Sequence, residues 1–419
     1  MPTRSTLGVG LLGAGFIGHF HVRSWRGVRD GDIVAVGSRT LQSARELAAE
    51  AEASGVGSEV AAYDDAAELV RDPRVEAVWV LTPNHTRLDV IRTIAEEVRA
   101  GRSKLRAIAI EKPLGRTVAE AQEIHDLVTE AGLLHGYLEN QVFSPAITRG
   151  HELLWTRGAP SAGTPYLARA AEEHSGPHRT WFWNAATEGG GVLSDMMCHS
   201  IEAGRYLLTP PGTDPATWLR PVSVSATIAS LKWGRERYAR ELSDTYPGVV
   251  DYRREPSEDY AHAVFEFLNG DDEPVVVEAT TSWSFVGAGL RLSFELLGPE
   301  YSMSSNTLNT ESSVFLSRRL QQAEGEDMVE KQNAEQGLVP VVSDESMSYG
   351  YTAENAAMTT AFLRGEQPAE SLANGVEVVR LLMGAYKSAE TGRAVDLRES
   401  LGDFVPAVAR GAWNPRRQG

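Results

Sequence analysis

One cysteine, Cys198, stands alone among 419 residues, so no disulfide can form within the chain and stability has to come from packing. That usage fits a reducing compartment, and the expected location is the cytoplasm. Long apolar runs are also missing, since no segment reaches the roughly 18–20 residues that span a bilayer. The opening stretch MPTRSTLGVGLLGAGFIG is partly apolar, but glycines interrupt it and no cleavage site follows. Positive charge is scarce: 40 Lys and Arg stand against 57 Asp and Glu, a net charge of −17. A surface of that sign repels phosphate backbones and anionic lipid, which argues against nucleic-acid and membrane partners. What remains is an ordinary globular balance, 42% hydrophobic and 23% charged, in a chain long enough for two domains.

Over residues 7–137 short apolar runs alternate with amphipathic segments. LGVGLL, DIVAVG, VEAVWVL, RAIAIE and LLHGYL read as buried strands, separated by TLQSARELAAEAEA, RLDVIRTIAEEVRA and VAEAQEIHDLVTEA at helical spacing. That alternation predicts βαβ units on a parallel sheet, the α/β class. A glycine loop, Gly13-Ala14-Gly15-Phe16-Ile17-Gly18, follows the first strand. In such a GxGxxG loop the first glycine turns the chain, the second lets backbone approach a pyrophosphate, and the third packs the helix on the sheet. A strand before it, a helix after it and a second strand ending about 20 residues on supply the context of a dinucleotide site. Gly13, Gly15, Phe16 and Ile17 are its candidate contacts.

At the end of that second strand an Asp or Glu would bond the ribose 2′-hydroxyl of NAD. The chain has Gly37-Ser38-Arg39-Thr40 instead. Ser38 can donate to a 2′-phosphate, and Arg39 can pair with it or stack on adenine, which slightly favours NADP. A solvated Arg39, with NAD bound without the usual acid, is the open alternative. Two more loops lie where strands of this sheet end: Thr82-Pro83-Asn84-His85-Thr86, and Glu111-Lys112-Pro113-Leu114-Gly115. Parallel sheets bind ligands at the carboxyl ends of their strands, so Lys112 would point a cation into the cleft. The Lys-Pro bond is a candidate cis peptide.

From about residue 141 strands follow one another without helices between: YLARAAEEH, PVSVSATIASL, YAHAVFEFLN, PVVVEATTSWSFV, LRLSFELLG and SSVFLSR. A first domain of residues 1–143 is therefore expected, then a second of 144–419 built on a mostly antiparallel sheet. One helix begins near Gly191, and two come late, AENAAMTTAFLRG and NGVEVVRLLMGAYKSAETG. Two charged connections, 232–259 and 318–348, exceed ordinary loop length and read as insertions, lids or partly disordered segments. No internal repeat is present.

The stretch GGGVLSDMMCHSIEAG, residues 189–204, opens that first helix. Residues four apart share a helix face, so Asp195, His199, Glu202 and Tyr206 form one polar stripe among apolar neighbours. Such a stripe must face a partner, a ligand or a water-filled cleft. Histidine suits proton transfer near neutral pH, and a neighbouring carboxylate sets its tautomer and raises its basicity. Taken alone, the pair fits a satisfied core histidine equally well.

The glycine loop, EKPLG and GGGVLSDMMCHSIEA, in this order and spacing, resemble the glucose–fructose oxidoreductase / inositol dehydrogenase (Gfo/Idh/MocA) family. The resemblance implies an N-terminal Rossmann domain and a C-terminal α/β domain on a large open sheet that often supports dimers or tetramers. It also implies hydride transfer between NAD(P) and a secondary alcohol of a sugar, sugar derivative, glycoside or cyclitol. Lys112 looks like the lysine that bonds the reacting oxygen, His199 like the proton-transfer residue, and Asp195 like the carboxylate that orients substrate and histidine. Thr82, Pro83, Asn84 and His85 resemble the loop beside the nicotinamide, and Glu111 joins Lys112 in the cofactor-binding set. Many relatives carry a histidine where this chain has Arg87.

ENQVFSP, from Glu139, resembles the segment that joins the domains and lines the cleft, which makes Asn140 a candidate substrate contact. In EEHSGPHRTWFWN, Trp181 and Trp183 can stack on a sugar ring while His174, His178 and Arg179 bond hydroxyls or an acidic group; anchoring a buried loop is the alternative. Lys112 supplies positive charge at the reacting oxygen, so no metal is expected. A zinc site from Cys198, His199 and His174 is disfavoured because adjacent helix residues point apart. A redox-neutral NAD-dependent glycosidase of the same fold and a non-catalytic nucleotide-binding sensor remain as alternative functions. The expected partners are a small-molecule substrate and further copies of the chain.

Overall fold

The alternating runs of the first third form a parallel sheet of β1 (Leu7–Leu12), β2 (Gly31–Gly37), β3 (Ala61–Tyr63), β4 (Ala77–Val80), β5 (Ala107–Glu111) and β6 (Leu134–Leu138). The structure is a computed structural model that describes residues 6–177, 179–310, 312–316, 337–342 and 344–415. Strand order is β3-β2-β1-β4-β5-β6, and every neighbouring pair is parallel. Every residue of β1, β4 and β5 is buried, because helices on both faces of a parallel sheet leave neither face wet. The winding reverses between β1 and β4, and loops leaving their carboxyl ends diverge there to open a crevice. The glycine loop follows β1, the Thr82 loop follows β4, and Lys112 follows β5.

The chain divides into two units, residues 1–145 with 349–377 and residues 146–348 with 378–419. Sequence order puts everything after residue 143 in the second domain, but the structure returns 349–377 to the first unit. The reason is packing. Met358 and Phe362, on the helix Tyr351–Arg364, are fully buried in the same core as Trp25 and Trp79. The Trp79 ring meets Trp25 edge-on at 5.2 Å and Phe362 at 5.8 Å. Polar groups fix the same junction, with Asn140 Nδ2 donating to Tyr349 O at 2.7 Å and Trp79 Nε1 to Asn355 Oδ1 at 2.9 Å.

The second unit is built on a seven-stranded sheet. Its strands are β7 (Leu167–Glu173), β8 (Arg220–Ala229), β9 (Tyr260–Leu268), β10 (Pro274–Ser282), β11 (Arg291–Gly298), β12 (Tyr301–Asn306) and, after a separate hairpin of β13 (Ser312–Leu316) and β14 (Gly337–Val341), the short β15 (Val395–Asp396). Sheet order is β12-β11-β7-β10-β9-β8-β15. Only β7 and β10 run parallel, and the other pairs are antiparallel. Burial alternates along β9 and β11, the mark of a sheet with one face packed and one face polar. Against the packed face lies the helix Val192–Leu207, so close that a Cβ on Gly204 would sit 2.4 Å from the Val277 side chain.

The connection 232–259 is ordered. It contains the helix Glu236–Thr245 and buries Trp233 and Tyr252, while the Asp259 carboxylate accepts from the backbone N–H groups of Leu231, Lys232 and Trp233. Of the second connection, residues 317–336 and 343 lie outside the described residues; the rest holds β14 and the short helix Glu345–Ser348. Among the described residues no helix is long and apolar enough to cross a membrane.

Candidate active site

In the first unit the three loop glycines meet three different demands. Gly13 has φ 132°, and a Cβ there would lie 2.7 Å from Leu81 O; one on Gly18 would lie 2.3 Å from Gly13 O. A Cβ on Gly15 would meet nothing within 4 Å, which is the open space a pyrophosphate needs. The helix Phe16–Ser24 has no acidic residue in its first turn, so its N-terminal amides present unopposed positive polarity to an anion. Phe16 is exposed and Ile17 half-buried beside them. Ser38 gives its backbone N–H to Tyr63 O at 3.1 Å. Arg39 is exposed, and Thr40 caps the helix Leu41–Ala53 through Ser43 N. The residues present therefore fit a dinucleotide.

The two other loops of this unit are bolted together by Arg87. Its guanidinium is buried and donates to Pro113 O, to Thr82 O at 3.0 Å and to Asn84 Oδ1 at 3.3 Å. Where the resemblance assigns no role to Arg87, the structure gives it one. His85 has an exposed face, and burial of the remainder and then the Arg116 charge lower its pKa. Glu111 accepts from Lys112 N at 3.0 Å through one oxygen, while the other lies 3.1 Å from His21 Nε2. Burial alone would raise the Glu111 pKa; the His21 hydrogen bond and the charges of His21, Lys112 and Arg87 outweigh it and hold it below the ordinary carboxylate value. Lys112 is half-buried, and its bond to Pro113 is cis.

In the second unit the helix Val192–Leu207 carries Asp195 and His199, 5% and 3% exposed. Asp195 Oδ2 accepts from Trp283 Nε1 at 3.2 Å. His199 Nε2 lies 3.9 Å from Oε2 of Glu172, a buried carboxylate on β7. The lower half of the polar stripe is satisfied elsewhere: Glu202 accepts from Arg205, and Tyr206 packs on the His151 ring at 4.4 Å. Asp195 and His199 share the upper half of the stripe, and Glu172 lies beside His199.

The glycine run before this helix has a specific cause. A Cβ on Gly190 would lie 1.9 Å from Tyr386 Oη, and one on Gly191 would lie 2.3 Å from Glu258 O. Those two residues cap the helix. Glu258 Oε1 accepts from Gly191 N and Leu193 N, Glu258 O from Val192 N, and Tyr386 Oη from Gly191 N and Ser194 N. Tyr386 Oη in turn donates to Glu258 Oε1 at 2.6 Å. The N–H groups that a helix start leaves unpaired are therefore satisfied by tertiary partners. Burial pushes the Glu258 carboxyl up to about 7 against these hydrogen bonds.

Of the other expected contacts, His174 is fully buried and its Nδ1 accepts from Gly176 N at 3.0 Å, which leaves the ring proton on Nε2. Arg179 is exposed. Trp181 is half-buried and stacks on Phe182 at 3.8 Å. Trp183 is buried, ringed by Trp233, Tyr252 and Trp283 at 5.1–5.5 Å; of the two tryptophans, Trp181 alone keeps an exposed face. Asn140 spends an amide hydrogen on Tyr349 O. His178 lies outside the described residues. Sequence reasoning missed Glu172, Trp283, Glu258 and Tyr386. Only Glu172 left a signal, a carboxylate in step with Ala168 and Ala170 on the buried side of β7.

The chain resembles known proteins over both units. An oxidoreductase family model, described as an NAD-binding Rossmann fold, matches residues 7–137, and the GFO/IDH/MocA C-terminal domain matches residues 160–304. The chain belongs to the Gfo/Idh/MocA oxidoreductase family. Within that family the chain is 28% identical to 1,5-anhydro-D-fructose reductase of Ensifer adhaerens over 94% of its own length and 99% of that protein. It is 29% identical to levoglucosan dehydrogenase of Pseudarthrobacter phenanthrenivorans over 48% of this chain and 51% of that one. Inositol 2-dehydrogenase of Rhizobium meliloti is 32% identical over 54% and 59% respectively. The chain thus spans little more than half of the last two relatives. Among solved structures, GenD2 from gentamicin A biosynthesis, in complex with NAD, shares the fold with a TM-score of 0.73 at 24% identity, over 94% of this chain and 96% of that one.

Proposed function

We propose that this Gfo/Idh/MocA protein is an NAD(P)-dependent dehydrogenase or reductase acting on a secondary alcohol, or the matching ketone, of a sugar, sugar derivative, glycoside or cyclitol. The observation that carries the reading is His199: a buried imidazole with Asp195 one helical turn before it and a second carboxylate 3.9 Å away, an arrangement suited to a proton-transfer group. The relatives named above are a 1,5-anhydro-D-fructose reductase, a levoglucosan dehydrogenase and an inositol 2-dehydrogenase, which supports this substrate class. When bound, oxidised NAD(P) supplies the hydride acceptor. His199 takes the hydroxyl proton as the C–H bond breaks, and gives it back in reduction. Lys112 donates a charge-assisted hydrogen bond to the oxygen as negative charge grows on it. Asp195, steadied by Trp283, orients both histidine and substrate. Asn140, His174, His178, Trp181 and Trp183 are proposed to shape the substrate contacts.

The absence of an acid at the end of β2, with Ser38 and Arg39 there, favours NADP slightly over NAD. The polar face of the large sheet, where Arg169 pairs with Glu278 and Glu295, is the surface proposed to join copies into dimers or tetramers, and sedimentation velocity reads that state. The lone, buried Cys198 accords with a cytoplasmic location. The deciding experiment follows the near-ultraviolet absorbance of reduced nicotinamide with a panel of sugars, cyclitols and glycosides, each with NAD and with NADP. Cofactor reduction with one class of alcohol supports the proposal. Silence, with cofactor co-purifying and aglycone released from a glycoside, would replace it with redox-neutral glycoside cleavage. Silence with neither bound cofactor nor product favours a sensor.

A further inference from the structure

We propose that Glu172 is the counter-charge that makes His199 a competent proton acceptor, an inference that rests on the oxidoreductase reading above and adds a residue to it. The strand β7 alternates in burial, and positions 168, 170 and 172 share its packed side. The first two are alanines that let the helix Val192–Leu207 approach. The third is a glutamate 5% exposed, paired in the sheet with Thr281 of β10 and Leu292 of β11. A carboxylate withdrawn from water to that extent loses hydration and is stabilised by a nearby positive charge. One group that faces it, His199, carries a conditional charge. His199 Nε2 lies 3.9 Å from Glu172 Oε2, within ion-pair range and beyond a hydrogen bond.

That spacing has a chemical consequence. A neutral imidazole gains little from a carboxylate it does not touch, whereas an imidazolium at the same place gains a full Coulomb attraction in a site of low polarity. Glu172 therefore stabilises the ring after proton transfer more than before it, which is the differential stabilisation that accelerates a step. In alcohol oxidation the C–H electron pair leaves as hydride to the bound oxidised nicotinamide, and the O–H proton forms a new N–H bond on His199. The oxygen's electrons close the carbonyl. The ring then holds one positive charge in a buried place, and Glu172 balances it. Asp195, on the same helix, has Trp283 Nε1 on one oxygen and is the orienting carboxylate; Glu172 approaches the ring from β7.

The test titrates His199 directly and needs no substrate. Ring ¹³C resonances of histidine are followed against pH in the full chain with NADP bound, the His199 signal being the one lost in His199→Asn. In Glu172→Gln its apparent pKa should fall by about one unit or more, a larger fall than in Asp195→Asn or in Glu139→Gln. Glu172→Asp, which keeps the charge and withdraws it by one methylene, should recover part of the shift. An unchanged His199 titration in folded Glu172→Gln, or a larger shift in either of the other two variants, overturns the proposal. Should Glu172→Gln not fold, the Asp variant alone decides, a fall supporting the pair and no change or a rise rejecting it. Activity gives the second readout. The limb of the kcat profile set by the base moves with the His199 pKa, and KM stays near its native value. A shifted titration in a protein that oxidises no alcohol would sustain the ion pair and reject the catalytic reading built on it, so the two failures are separable.

Discussion

Arg87 joins two loops through one guanidinium, reaching Thr82 five residues back and Pro113 26 residues on. Its bonds to Thr82 O, Asn84 and Pro113 O hold the ends of β4 and β5 in register with each other. Arg87→Ala should therefore loosen both loops, with a loss of about 2 kcal/mol in stability from the buried carbonyls left unpaired and a weaker nucleotide Kd by fluorescence. Unchanged values of both would show the bolt to be idle. Lys112→Ala and His199→Ala act on a different quantity. Turnover should drop by about a hundredfold or more in each while nucleotide affinity stays near native; a variant with near-native turnover has been given the wrong role. Arg39 is exposed, so Arg39→Ala should leave stability alone and weaken NADP by about tenfold or more. Equal loss of NAD would leave adenine stacking as its only contribution.

Among the elements, the helix that carries Asp195 and His199 owes its position to groups far along the chain. Gly191 N is bonded by Glu258, 67 residues on, and by Tyr386, 195 residues on. The run Gly189-Gly190-Gly191 is visible in the sequence, but its cause is not, because the atoms that forbid a Cβ at Gly190 and Gly191 come from β9's approach and the late helix Leu372–Thr391. Glu258 also makes this helix start sensitive to pH. Its carboxyl sits at about 7 in the folded protein against 4.5 for an ordinary glutamate. Between those values the folded state keeps a proton that the unfolded chain has released, so stability is lost as pH rises through the window. Glu258→Gln removes that dependence. Urea denaturation should show the variant gaining on the native protein between roughly pH 5 and pH 8 by up to about 3 kcal/mol; a difference that stays flat would mean that the carboxyl titrates normally. The Rossmann strands were legible for the opposite reason, since their periods and glycine loop are local. So was the Asp195–His199 spacing. Glu172 was half-legible, as a charge in step with the buried alanines of β7, and Trp283 was not legible at all, since a tryptophan at a strand end predicts burial and no particular partner.

At the scale of the whole molecule the two units are interleaved in sequence, because residues 349–377 complete the first after the second has been traversed. Residues 1–145 made alone lack Met358 and Phe362, which fill the core beside Trp25 and Trp79. That fragment should melt without a cooperative transition and bind no nucleotide, and joining 349–377 to it through a flexible linker should restore both properties, read by thermal melting and by NADP titration. A cooperative, nucleotide-binding 1–145 fragment would make the returning helix dispensable. The same interleaving governs the order of events during synthesis. A nascent chain leaves the ribosome from its N-terminus, and domains that are contiguous in sequence fold as they emerge. Here the nucleotide-binding unit waits with a tryptophan-lined face uncovered until the helix Tyr351–Arg364 has been translated, so translation speed through the second unit and access of chaperones to that face set how much of the protein reaches its native state.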